Sequence, residues 1–283
     1  MNKLIAALIF LTCSIYINAQ SVFSELAASY AESGDFERAI ELELKAQEFI
    51  ISLSGKDNLE YANSLFSLAY YNSNCGNYEE AIQLSEEAIV LIEKFEGQGD
   101  KYANCLFNMS QDYMSTRNYE KAIDCALKVV EIRELLYTKH SAEYSDALNN
   151  LAIIYGETNH YDAALELTQQ VLQIRENIYG KNSYEYFSVL HNNATYNFQN
   201  NNINDAIAIL RELISIIENT YGENNMYCVK SLENLAFYEN KVGEYDNAIL
   251  NINKALSIIE NFYGHDDENY IKDLNTGQKV CHS

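Results

Sequence analysis

Thiols and imidazoles offer this chain its most obvious chemistry, as nucleophiles, metal ligands or proton carriers, and the sequence holds six cysteines and five histidines. A structural metal site needs such groups in close pairs, as in C-x-x-C or H-E-x-x-H, because four ligands must converge on one ion. Neither spacing occurs, and His140, His160, His191, His265 and His282 are scattered. The cysteines beyond Cys13 are Cys75, Cys105, Cys125, Cys228 and Cys281, an odd number that cannot close completely within one chain. Cys281 is a candidate for pairing between chains, and Cys75 lies near a turn where it could be exposed. Gly97-Gln98-Gly99 would suit a phosphate-cradling loop only behind a strand, and a helical pattern precedes it. The paired carboxylates Glu79-Glu80 and Glu86-Glu87 fall on helix faces, where they read as solvated charge rather than an acid and base. Asn108-Met109-Ser110 and Asn193-Ala194-Thr195 are glycosylation sequons inside predicted helices. The expectation is a non-enzyme with no catalytic residues, no cofactor and no metal.

Before any element that could position a site comes a segment that reads as an address. Asn2-Lys3, an apolar run from Leu4 to Ile17 and the small residue Ala19 have the order of a secretory signal peptide, so residues 1–19 are expected to be removed. An uncleaved anchor would need about 18 to 20 apolar residues, and Thr12 before Cys13 departs from a lipoprotein box. The rest of the chain lacks a run able to span a bilayer, so no membrane insertion is expected after cleavage. The product should be exported, periplasmic or extracellular, and the Asn/Ile/Tyr-rich composition suits a bacterial host. With 41 Asp+Glu against 19 Lys+Arg the formal charge is -22. That balance argues against nucleic acid, whose affinity comes mainly from Lys and Arg displacing counterions, and against an anionic membrane surface.

The sequence repeats itself along its whole length. DFERAI (35–40), NYEEAI (77–82), NYEKAI (118–123), HYDAAL (160–165), NINDAI (202–207) and EYDNAI (244–249) place alanine at 39, 81, 122, 164, 206 and 248, at intervals of 42, 41, 42, 42 and 42 residues. Upstream of each lies a helix with apolar or small residues at i, i+3, i+4 and i+7, as in Phe23, Leu26, Ala27, Tyr30 and in Leu148, Leu151, Ala152, Tyr155. Downstream a second helix repeats with 0, +3, +7, +10, +14, as in Ala164, Leu167, Val171, Ile174, Ile178. Cys125 holds the place of Leu42, Leu84 and Leu167 and reads as core, Cys105 that of Ala147 and Ser231, and Cys228 that of a tyrosine. Gly55, Gly97, Gly180, Gly222 and Gly264 end the second helices, with Thr138 in the remaining place. Tyr61, Tyr102, Tyr144, Tyr186 and Tyr227 open the next first helices. Proline is absent from the sequence, so nothing of that kind interrupts the helices.

Leu148, Leu151, Ala152, Tyr155, Tyr161 and Ala164, with Tyr179-Gly180 and its polar loop, resemble the tetratricopeptide repeat, and the period of about 42 residues resembles the kinesin-light-chain type. The resemblance implies an all-α, right-handed α-α superhelix of six helix pairs plus a partial seventh. It covers residues 20–266 (repeats at about 20–58, 59–100, 101–142, 143–184, 185–225 and 226–266), with 267–283 a partial repeat, end cap or tail. Asn193 departs from the expected leucine and Ile203 from the usual tyrosine, and the seventh helix, starting at Tyr270, meets Gly277 where an apolar residue should be.

In the family it resembles, first helices line a concave groove. By register the groove positions are Asn63, Phe66 and Tyr70; Asn104, Phe107 and Gln111; Asp146, Asn149 and Ile153; Ser188, His191 and Thr195; and Lys230, Glu233 and Phe237. The mixture is amide and aromatic, suited to an extended peptide backbone and to rigid apolar contact. Lys230 is the only basic residue in the set, so no lysine/arginine clamp for a terminal carboxylate is expected. The implied partner is a protein or peptide segment, neutral or basic, with apolar anchors. The alternative is a sensory component of an envelope signalling system acting through a separate or lost output domain. Most of the acidic excess falls outside the first helices, leaving a nearly neutral groove and an acidic back.

Overall fold

The computed structural model describes residues 20–263. The proposed signal peptide, the partial seventh repeat, Cys281, His265 and His282 lie outside the described residues. Twelve α-helices occur among those described: α1 (20–32), α2 (Phe36–Ser54), α3 (Leu59–Asn74), α4 (Tyr78–Glu96), α5 (Asp100–Ser115), α6 (Tyr119–Leu136), α7 (Ala142–Glu157), α8 (Tyr161–Tyr179), α9 (Tyr184–Gln199), α10 (Ile203–Tyr221), α11 (Val229–Val242) and α12 (Tyr245–Tyr263). A 3-10 turn, Met226–Cys228, precedes α11. The described residues form two compact units that divide between Thr138 and Lys139. The described part of each is three helix pairs, first helix against second.

Local chemistry sets the helix ends. Asn58, Ser141 and Ser183 each accept the backbone N–H three residues on, at 2.8, 3.1 and 3.2 Å, and so start α3, α7 and α9. Gly55, Gly97, Gly180 and Gly222 close second helices at φ of 74°, 75°, 82° and 92°, whereas α6 ends on Tyr137 in extended conformation. Inside every pair the first helix closes with one recurring motif. In α5, the Asn118 N–H donates to the Tyr113 carbonyl at 2.7 Å and the Arg117 N–H to that of Met114 at 3.0 Å. The residue at the bend has positive φ in all six pairs: Gly34, Gly76, Arg117 (60°), Asn159 (62°), Asn201 (63°) and Gly243. Asparagine tolerates that region better than other non-glycine residues, but arginine pays for its Cβ there. Arg117→Gly is therefore expected to stabilise the first unit by about 0.5–1 kcal/mol, after the added unfolded-state entropy is subtracted. Chemical denaturation should show a raised midpoint at unchanged slope; a lowered midpoint would contradict it.

The repeat alanines are the contact points of the core. Ala39, Ala81, Ala122, Ala164 and Ala206 are fully buried and Ala248 nearly so, because a methyl group is all that fits between paired helices. Four residues further on, the same register holds Glu43, Ser85, Ala126, Thr168, Leu210 and Ile252, all buried. Asn193 departs from leucine for a reason visible here: its amide donates to the Thr168 hydroxyl at 2.8 Å, so a polar pair replaces an apolar one. The same burial makes its sequon inaccessible in the folded chain. In the second unit Gly156 faces the ring of Tyr196, and a Cβ on Gly156 would lie 2.3 Å from ring atom Cε1. Gly156→Ala gains helix propensity of about 1 kcal/mol but must displace a buried ring at about 1–3 kcal/mol. The expected net result is a loss of about 1 kcal/mol, measurable as a lower Tm; an unchanged Tm would show that the ring yields freely.

Candidate binding surface on the first helices

In the first unit the register positions lie on α3 and α5. Phe66 and Tyr70, with Ala28, Ala31, Glu32, Ser67 and Tyr71, line a cleft of about 250 Å³ between α1 and α3. Tyr70 is 45% exposed and packs edge-on against Phe36 and Tyr71, at centroid distances of 6.1 and 6.0 Å. Asn63 and Asn104 are held in place. The Asn63 carbonyl accepts from Lys101 Nζ at 2.9 Å, and that of Asn104 accepts from Arg133 Nη2, whose Nη1 reaches Asp100 at 2.5 Å. Phe107 is half-buried and Gln111 exposed.

The second unit repeats the scheme with different chemistry. Asp146 accepts from Arg175 Nη2 at 2.7 Å. Arg175 also donates to the Ser145 hydroxyl (3.1 Å), the Glu185 carbonyl (2.8 Å) and the Ser188 hydroxyl (3.3 Å). Asn149 and Ile153 are half-buried. Ser188, His191 and Lys230 share a second cleft of about 250 Å³ with Tyr184, Phe187, Leu213, Ile217, Tyr227 and Ser231. His191 lies between Ser231, 3.3 Å from Nδ1, and the Asn234 amide, 3.1 Å from Nε2. Burial, and secondarily Lys230, hold its pKa down to about 4, so it is a neutral hydrogen-bonding ring at neutral pH. Thr195 donates to the His191 carbonyl at 3.1 Å, and Glu233 lies 3.6 Å from Lys230. Phe237 packs near Phe198 at 5.5 Å, and Lys241 stands over its ring at 5.1 Å.

Two features escape a reading by register alone. Arg133 and Arg175 occupy a second-helix position held elsewhere by Ile50, Ile92, Ile217 and Ile259, yet their guanidiniums reach Asn104 and Asp146 on the first helices. Arginine in an isoleucine column is the signal that points to them. Tyr227, expected to open α11 like its counterparts, is one residue out of register: Cys228 takes the buried place, while Tyr227 is exposed at the cleft, 5.7 Å from the Tyr184 ring. The described cysteines are free. Burial pushes Cys105 up to about 12 and Cys125 and Cys228 up to about 11, so these are not nucleophilic thiolates at neutral pH. Among the described residues no group of histidines, cysteines and carboxylates could hold a metal, and no helix is long and apolar enough to cross a membrane.

Paired helices with a fixed register, a buried alanine at each pair and accessible side chains along the first helices define a helical repeat scaffold. The tetratricopeptide repeat model matches residues 18–89, 68–134 and 102–177, more than half of the sequence, and the chain belongs to that family. No curated protein matches it. Among the solved structures that share the fold are the following three. A protein of nearly identical TPR-like repeats, of the kinesin light chain type, from Podosopora anserina is 19% identical, with 71% of this chain and 95% of that one covered and a TM-score of 0.64. The apo form of RapI is 17% identical over 93% and 95% of the two chains, TM-score 0.69. A Rap protein complexed with Competence and Sporulation Factor is 14% identical over 86% and 75%, TM-score 0.59.

Proposed function

We propose that this chain is an exported, non-enzymatic scaffold that binds a peptide or protein segment along the exposed face of its first helices. The observation that carries the reading is the clefts: in each unit, positions transferred by register line a cleft of about 250 Å³, Phe66 and Tyr70 in one, Ser188, His191 and Lys230 in the other. Each is smaller than a drug-sized pocket of about 300–1,000 Å³, a size suited to single side chains of an extended ligand. Amides held by Lys101 and Arg133 are pre-organised to meet a peptide backbone, which lowers the ordering cost of binding. The Rap protein crystallised with a factor supports the idea that repeats of this kind take such ligands. Export rests on residues 1–19, and the charge of -22 supports a neutral or basic partner.

The test is capture from envelope extract by the mature chain and by variants with Phe66, Tyr70 and Phe107 changed to alanine, each first shown to retain its helical signal and Tm. Partners held on this face should be lost from the variants. Equal recovery of every partner by both would sink the proposal.

A further inference from the structure

The α1/α3 cleft has a composition that selects one kind of ligand group. It is lined by Phe66, the exposed Tyr70 and the largely buried Tyr71, by the small residues Ala28 and Ala31, by Ser67 and by the exposed Glu32. Ala28, itself exposed, occupies the register position that holds Tyr70, Gln111, Ile153, Thr195 and Phe237 in the other repeats, so only a methyl group stands on the α1 side of the cleft at that place. Glu32 is exposed, and none of the ion pairs among the described residues engages it. A second acid, Glu37, is exposed at the start of α2, beside Phe36, whose ring meets that of Tyr70. Arg38, the nearby cation on α2, is turned to Asp35 at 3.3 Å.

Each candidate occupant makes a different match with this site. An apolar side chain would cover Glu32 without pairing it, at a desolvation cost. An acidic one would meet a like charge on an already strongly acidic chain. A cation finds both the negative faces of aromatic rings and a carboxylate, and a guanidinium is flat, weakly hydrated and able to stack while it forks onto the acid. We propose that the α1/α3 cleft is a recognition site for a cationic side chain, arginine above all, of the bound segment. The assignment rests on the first-helix binding reading and deepens it: it names the charge of one ligand residue and the place where that residue sits.

The test is a nuclear magnetic resonance titration of the isotope-labelled mature chain with N-acetyl-arginine amide, and in parallel with the neutral isostere N-acetyl-citrulline amide. Saturable shifts confined to residues of α1, the start of α2 and α3 are expected with the arginine probe, weakening as salt is raised. Glu32→Gln and Tyr70→Leu should each weaken binding by about five-fold. Glu32 is exposed and without an ion pair, so its variant should fold unchanged, which keeps that arm interpretable even if Tyr70→Leu perturbs packing. Equal affinity for the two probes, shifts centred elsewhere, or no saturable shift would overturn the proposal. None of these outcomes touches partner capture by the Phe107 and Phe237 positions, so the wider binding reading stands or falls separately: partners retained by Glu32→Gln but lost from Phe107→Ala and Phe237→Ala would refute the cation site alone.

Discussion

Arg175→Ala is expected to cost the second unit about 3 kcal/mol of stability, toward the low end of the range for truncating a large buried side chain to alanine. The arginine is 7% exposed, and its guanidinium donates to Ser145, Ser188, Asp146 and the Glu185 carbonyl. Removing it leaves a cavity and strips donors from the Ser145 and Glu185 acceptors, while the more exposed Asp146 falls back on water, which is why the upper end of the range is not expected. Arg175→Ile should recover much of the loss, because isoleucine fills the same position in Ile50, Ile92, Ile217 and Ile259. Denaturant unfolding of the three proteins checks the order wild type, isoleucine, alanine. An alanine variant as stable as wild type would mean that the four hydrogen bonds contribute nothing net. Arg175→Ile also frees Asp146 and Ser188, so a partner that reads their arrangement should lose affinity even where stability is restored.

Asp112→Asn is expected to act in the opposite direction, raising stability at neutral pH by about 1–2 kcal/mol. Asp112 is 1% exposed and takes the place of Tyr71, Ile154, Tyr196 and Tyr238. One carboxylate oxygen accepts from the Ser73 hydroxyl at 2.5 Å, and the other has no hydrogen-bond partner. Burial raises its pKa above the ordinary value, an effect that the Ser73 hydrogen bond only partly offsets. A carboxyl whose pKa is higher folded than unfolded favours the folded state below its unfolded pKa, near 3.9. That advantage is lost as pH rises through the folded value, because the native state then has to hold a buried charge. The gap between variant and wild type should therefore be widest at neutral pH and narrow as pH falls. Unfolding midpoints compared at pH 7 and pH 4.5 measure it; a variant no more stable than wild type at pH 7 would remove the buried charge from the account.

The same residues show how far a linear reading reaches. Helix pairs, their ends and their register follow from local periodicity and capping, and the register put Phe66, Tyr70, Ser188, His191 and Lys230 on first helices; that the first two line one cleft and the other three another is seen only in the structure. The register also put Cys105 at a close-packed helix position, where it is buried with Sγ 3.5 Å from the Ser85 carbonyl, whereas Cys125, read as core, is only half-buried, as are Leu42, Leu84 and Leu167 in the same column. It did not show that Asn63, Asn104 and Asp146 are tethered by Lys101, Arg133 and Arg175, since the tethering groups lie 38, 29 and 29 residues further along the chain. Nor did it show that the bend inside each pair needs a left-handed residue, because Arg117, Asn159 and Asn201 do not announce that conformation as Gly34 and Gly76 do.

By itself, then, the sequence determined the repeat, its all-helical character, its acidity and the positions that first helices present, because these depend on spacing within one turn or one period. Only the tertiary structure decided which polar atoms meet across helices, that Asp112 is enclosed with an oxygen unpaired, and that Ala28, Phe66, Tyr70, Tyr71 and Glu32 line one cleft. Those outcomes depend on side-chain volumes and hydrogen-bond geometry summed over neighbouring helices, and a one-dimensional pattern carries the period of that packing without the shape of the spaces it leaves.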